Sequence, residues 1–540
     1  MPIGRVLAVS LCLAAGLVTH ALASDNPSSS QPPQPLATGS TAPIDAGLGP
    51  ELAAKLGDGA QAAADREDRA ALAKFYAARQ NEPVWVGASG LTPQAQAAIA
   101  EIRRADAWGL EASAFKLPAL PASAEPSRAD RADAEIALSL AILKYARHAR
   151  GSRADPATLS KHLDRKLPLL EPGEVIAAAA KAEEPDAFLR FLHPKHPQFE
   201  ALRQVYLKLK AGQKVASEGE SPAADDKKAG KAKAPPDSTP ASARRVLVNM
   251  EEWRWMPEQL GDFYVWVNVP EFTLRVVKDG EVIHTERVIV GKQDTPTPVF
   301  SQDMEQVIFH PFWGVPDSIK RADILPSLAR GSTRVLSRYN LRLQRGGRDV
   351  DPESVDWSSA DIRNFHVYQP PGNGNVLGVV KFRFPNKHDV YMHDTPTKNL
   401  FNAPVRTFSH GCMRVRDPQK LAELLLTEEK GWPASRVASA MAPGGAQNSQ
   451  INLTRKVPVH VTYFTAVAAD DGKLKVYPDI YDHESKIALG IEGKAHLIPR
   501  WKEDRQPAQA EVIGRLSESI NDIPSKKDWS RRVLEPFGNY

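Results

Sequence analysis

Two side chains in this sequence have the types and spacing to make and break an acyl bond. Cys412 sits in Ser409-His410-Gly411-Cys412-Met413-Arg414-Val415, and His393 in Tyr391-Met392-His393-Asp394-Thr395. A thiol attacks as its thiolate, and a free cysteine with a pKa of about 8.5 is little ionised near neutrality. A neighbouring imidazole can take that proton, leaving an ion pair, provided a third group orients it. His410 lies two residues from the thiol, where local backbone dictates its direction. His393 lies nineteen residues upstream, enough for a strand end and a loop to bring it opposite the sulfur. Gly411 frees the chain to turn so that the amides of Gly411 and Cys412 aim at one oxyanion. A zinc set of Cys412, His410, His393 and His388 would lack a paired ligand spacing, so neither metal nor other cofactor is expected. The residues alone indicate a cysteine acyltransferase or hydrolase.

Cysteine usage supports a thiol kept for chemistry. The second cysteine, Cys12, falls in an apolar run from Val6 to Val18, after Arg5 and before Ala21-Leu22-Ala23. That order predicts a secretory signal over residues 1–23, which leaves Cys412 alone in an exported protein. Exported cysteines are usually paired or absent, so a lone one is either residual or reactive. No other stretch approaches the ~20 apolar residues that span a bilayer, and the processed chain is not expected to be an integral membrane protein. Charged residues make up 25% and hydrophobic residues 42% of the 540, which is ordinary for globular domains. The net charge of +4 gathers into no long basic patch, so no nucleic-acid partner is expected.

The elements that must position the pair fall into blocks. Residues 24–50, rich in Ser, Pro, Gln and Ala, predict a disordered tether. Residues 51–210 are Ala- and Leu-rich at helical spacing, with Thr92-Pro93 as an N-cap and first-turn pair, and predict an all-helical domain. Residues 211–242 turn to Lys, Asp, Ala, Pro, Gly and Ser, the composition of a flexible linker. From 243 to 466 the period becomes that of strands: Phe263 to Val269, Phe272 to Val277, Val282 to Val290, Val307 to Phe309, Val379 to Phe384, Val390 to Met392 and Val457 to Phe464. Residues 317–364 interrupt them as a polar, partly helical insertion, expected to be a lid. Asp417-Pro418 opens a helix through Leu421, Leu424 and Leu425, and residues 467–540 read as a polar tail. The fold class expected is α+β multidomain, helical scaffold first and mainly β catalytic domain second.

The two motifs around His393 and Cys412 resemble the signature of the L,D-transpeptidase (YkuD) family. Further matches are Trp253-Arg254-Trp255-Met256-Pro257, Val290-Gly291-Lys292 and Pro311-Phe312-Trp313-Gly314-Val315-Pro316. With Phe75-Tyr76, Pro83-Val84-Trp85 and Trp108-Gly109-Leu110, they are similar to the large YcbB-like branch, which carries a helical scaffold domain. The resemblance implies a periplasmic enzyme whose partners are peptidoglycan stem peptides, a tetrapeptide donor and an amine acceptor. Cys412 would attack the meso-diaminopimelate carbonyl, release D-Ala and pass the acyl group to another stem, giving a 3-3 cross-link. His393 would move the protons and the Asp394 carbonyl would orient it. Ser409, His410, Gly411, Asp394 and Arg414 would support the oxyanion and the loop, and Tyr391 and Trp313 could line the donor groove. A same-fold hydrolase, amidase-like or protein-attaching enzyme and a non-catalytic wall scaffold are the alternatives. No peptidoglycan-binding repeat precedes the catalytic region, and the protein partners are not indicated.

Overall fold

Capping signals act where the sequence places them. In the computed structural model, which describes residues 47–57, 63–120, 126–219 and 241–499, the Thr92 hydroxyl accepts from the Ala95 amide (3.1 Å) and Pro93 opens the helix Pro93–Arg103. Ser127 and Asp130 form a reciprocal capping box at the head of Arg128–Ala149. These helices, with Ala63–Ala78 and Pro172–Lys181, enclose a core containing Tyr76, Trp85, Ile102, Leu138 and Ile142. The domain is not purely helical: Val86–Gly87 pairs with Gly90–Leu91. The buried Glu135 anchors that turn, accepting from the amides of Val84 (2.6 Å), Trp85 (2.8 Å) and Val86 (2.9 Å) and from the Tyr76 hydroxyl (2.7 Å). Burial pushes its carboxyl up to about 7. The helix Leu48–Gly57 begins inside the stretch expected to be tether, while residues 1–46, including the expected signal, lie outside the described residues.

The second domain is built on nine strands: β1 (Phe263–Asn268), β2 (Thr273–Lys278), β3 (Glu281–Gly291), β4 (Phe300–Phe309), β5 (Val380–Arg383), β6 (Met392–His393), β7 (Thr407–Ser409), β8 (Met413–Val415) and β9 (Ser449–Thr462). Their order is β7-β3-β8-β6-β5-β4-β9-β1-β2, and β2 also pairs with β3, so eight strands close on themselves with β7 alongside. Closure removes the edges an open sheet would expose. The pairs β6–β8, β9–β1 and β7–β3 are parallel and the others antiparallel. Val265, Val267, Leu274, Val290, Phe309 and Phe382 pack inside, covered by the helix Pro418–Lys430 through Leu421 and Leu425. The Asp417 carboxylate caps that helix at the Lys420 amide (3.1 Å), and Gly431, at φ 64°, ends it.

The insertion is more than a polar loop. Strands Trp313–Gly314, Arg342–Arg345, Arg348–Asp349 and His366–Gln369 form a separate sheet. Trp313, Leu325, Leu328, Leu343, Trp357, Phe365 and Leu377 close a core of their own beneath it. The insertion therefore runs from about 313 to 377, beyond the expected 317–364. Its apolar residues come from several short elements rather than one periodic run, so their common burial is not readable locally.

Two boundaries also move. The helix Ala241–Arg254 starts within the expected linker, and Ser217–Glu218 pairs with Leu474–Val476; residues 220–240 lie outside the described residues. The expected tail is ordered in its first part: Ala466–Ala468 pairs with Leu474–Val476, and the helix His483–Ile491 buries Ile487 and Ala488 in the barrel core. Residues 500–540 lie outside the described residues.

Candidate active site

Strand β6 carries His393 into the interior, and β8, its parallel neighbour, leads out of the turn that presents Cys412. The register Met392↔Met413 puts the two short strands side by side, which is why a separation of nineteen in sequence becomes adjacency in space. His393 is buried, and its Nδ1–H donates to the main-chain carbonyl of Asp394 (2.5 Å). That bond fixes the tautomer and leaves Nε2 to accept a proton. Cys412 is half-buried, with Sγ 4.0 Å from the Asp389 carbonyl. Both residues line one cavity of about 300 Å³ together with Tyr391, Arg414, Trp313 and residues 316–319 of the 313–377 insertion, which caps the site. The barrel supplies the floor of the cavity and the cap its roof.

Electrostatics set the resting state. Burial, reinforced by Arg414, holds the His393 imidazole down at about 3. Burial also pushes the Cys412 thiol up, against hydrogen bonds from Tyr391 and the charges of Lys381 and Arg414. Both shifts favour the uncharged thiol and imidazole over the ion pair expected from the sequence. Low dielectric disfavours two separated charges unless a substrate stabilises them. Lys381 sits with Nζ 3.7 Å from the centroid of the Tyr391 ring, and burial lowers its pKa.

The loop bearing the thiol is braced differently from expectation. Gly411 has φ 110°, a conformation for glycine. Its amide, however, donates to Ser409 Oγ (3.1 Å), while the Ser409 hydroxyl donates to the Cys412 carbonyl (2.6 Å). The Gly411 amide is thus committed inside the loop and is not an oxyanion donor. The Cys412 amide has no hydrogen-bond partner among the described residues. His410 is exposed at the cavity rim. Support comes from Thr297, whose hydroxyl donates to the Gly411 carbonyl (2.8 Å) and accepts from the Gly291 amide (2.9 Å). Tyr481, from the expected tail, donates to the Gly291 carbonyl (2.5 Å) and accepts from the Thr297 amide (3.3 Å).

Asp394 and Arg414 act around the pair. The Asp394 carboxylate accepts from the Val379 amide (3.0 Å) and pairs with Lys398 (2.6 Å), which fixes the peptide whose carbonyl holds His393. Arg414 is buried, donates to Thr397 Oγ1 (3.2 Å) and lines the cavity. His388 is turned to Asp164, Nε2 to Oδ2 2.9 Å. Tyr391 and Trp313 both reach the cavity, as the sequence allowed. Sequence reasoning gave no role to Lys381, Thr297 or Tyr481. Only Lys381 had a local signal, a lysine inside the apolar strand Val379 to Phe384.

Gly378 offers a test of the Asp394 support. At φ 59°, a Cβ there would lie 2.2 Å from Asp394 Oδ2. Gly378→Ala should lower Tm and, by displacing the carbonyl that holds His393, slow acylation of Cys412 about tenfold, equivalent to ~1.4 kcal/mol. A lower Tm with unchanged acylation would show that this segment does not position the imidazole.

Similarity to known proteins follows the same division of the chain. Residues 70–205 match the scaffold domain family and residues 262–445 match the L,D-transpeptidase catalytic domain (YkuD) family. A Haemophilus influenzae protein named "Putative L,D-transpeptidase" is 32% identical over 249 residues, 46% of this chain and 49% of its own length. The chain thus spans about half the length of that curated relative. Among solved structures, an L,D-transpeptidase from Mycobacterium smegmatis matches 37% of this chain and 58% of its own, at 14% identity and a TM-score of 0.18. An LD transpeptidase in complex with imipenem matches 37% and 59%, at 14% identity and a TM-score of 0.17.

Proposed function

We propose, for a chain whose residues 262–445 match the L,D-transpeptidase catalytic domain (YkuD) family, a cysteine acyl transfer that forms 3-3 cross-links between meso-diaminopimelate residues of peptidoglycan stems. The observation that carries this reading is His393, held through Nδ1 by the Asp394 carbonyl, in one roofed cavity with Cys412. The donor tetrapeptide enters between barrel and cap with its diaminopimelate carbonyl against Sγ. His393 Nε2 takes the thiol proton as the S–C bond forms, then gives it to the nitrogen of the departing D-Ala. The free Cys412 amide and the cationic Arg414 suit the developing oxyanion. The thioester then waits under the cap, where excluded water favours an amine acceptor over hydrolysis. The signal-like first residues support a periplasmic site of action.

Incubation with purified disaccharide-tetrapeptides, read by mass spectrometry, separates the outcomes. A 3-3 dimer with release of D-Ala is expected; tripeptide alone would mean a hydrolase. A carbapenem should add to Cys412 one-to-one, and an unchanged intact mass would remove the acyl-enzyme from the scheme.

A further inference from the structure

The proposed transfer has a proton to dispose of. A primary amine, with a pKa of about 10.4, reaches the site as an ammonium. Ammonium and thioester give amide, thiol and one proton, so nitrogen loses two protons and sulfur regains one. His393 can carry one from nitrogen to the departing Cys412 sulfur. The other must leave nitrogen before it can attack, and the Cys–His pair has no place for it.

Asp323 has the chemistry and the position. It lies in the π-helical turn Lys320–Ile324 of the cap, a geometry concentrated at functional sites. Its half-buried side chain lines the cavity that holds Cys412 and His393. Among the described residues its carboxylate has neither a hydrogen bond nor an ion pair, which leaves it available to a ligand in the cavity. Asp317, also on the cavity wall, is already paired with Lys320 (2.9 Å). Lys292 acts on Asp323 only through its charge, and the charge of Asp323 in turn reaches Tyr339. Burial pushes the Asp323 carboxyl up to about 6, ionised at neutral pH yet more basic than an exposed carboxylate.

We propose that Asp323 binds the ammonium of the acyl acceptor and takes its first proton, so that the cap itself selects amines over water. The N–H bond breaks to the carboxylate, the freed lone pair attacks the thioester carbon, and the C–S bond breaks as His393 returns the second proton to sulfur. The protonated Asp323 then gives its proton to solvent. This inference rests on the amine-acceptor reading above.

The test uses the full chain and the Asp323→Asn variant. The first-turnover burst of D-Ala release from the tetrapeptide and acylation by a carbapenem should proceed at wild-type rates, which also reports a folded site. Transfer to the stem-peptide amine should fall about 10²-fold, with a raised KM for the acceptor and tripeptide accumulating in place of dimer. Hydroxylamine, uncharged at neutral pH, should intercept the thioester equally in both proteins, and Asp323→Glu should restore part of the amine transfer. Undiminished dimer formation by Asp323→Asn would overturn the assignment. So would hydroxylamine transfer falling in step with amine transfer, since that indicates a general disturbance. A wild-type protein that acylates but never transfers to amines would instead overturn the acceptor reading, and this inference with it.

Discussion

Cys412→Ala should abolish donor turnover and carbapenem adduct formation while leaving the fold intact. The substitution removes one sulfur from a half-buried turn whose bracing runs through Ser409, Thr297 and the Gly411 main chain rather than through the thiol. Tm should therefore stay close to wild type. Cys412→Ser should fall nearly as far in activity, because a serine hydroxyl is much harder to ionise and His393 is a weak base in this site. D-Ala release by either variant above the no-enzyme background would show that another group attacks.

His393→Ala should lower D-Ala release by about 10²- to 10⁴-fold, the usual yield of a positioned proton-transfer group. The neutral resting pair adds a sharper expectation. With the imidazole held at about 3 and the thiol pushed up, the wild-type thiolate appears only as pH rises past the ordinary cysteine range. Alkylation of Cys412 by iodoacetamide should climb toward alkaline pH with no plateau between pH 5 and 7. His393→Ala should leave that alkylation profile nearly unchanged while slowing reaction with the donor to that extent, since the donor needs the proton moved during attack. A low-pH alkylation plateau that vanishes in His393→Ala would mean that the ion pair exists before substrate arrives.

What the sequence disclosed follows how local each signal is. Thr92-Pro93 and Asp417-Pro418 worked as helix starts because capping needs only residues within one turn. The strand runs from Phe263 to Val290 were legible by their β-branched content, and His393 was distinguishable from His410 by the reach a strand end gives it. Tyr481 was not legible: its work depends on meeting Gly291 and Thr297, nearly two hundred residues upstream. Nor was the cap, whose core gathers Trp313, Trp357 and Leu377 from separate short elements. The Gly411 amide failed as an oxyanion donor for a related reason. A glycine's freedom to turn does not say which acceptor its N–H finds, and here it finds Ser409 Oγ.

That His393 is held by a carbonyl rather than a carboxylate shapes how the gene can drift. Every amino acid at position 394 supplies the same C=O, so no substitution there deletes the group that orients His393. Side-chain replacements there can only loosen it, by releasing the Val379 amide and Lys398. A mutational scan should therefore show a graded slope at 394 beside all-or-none cliffs at 393 and 412. Partially active alleles should then cluster at Asp394, Lys398 and Gly378 rather than at His393 and Cys412.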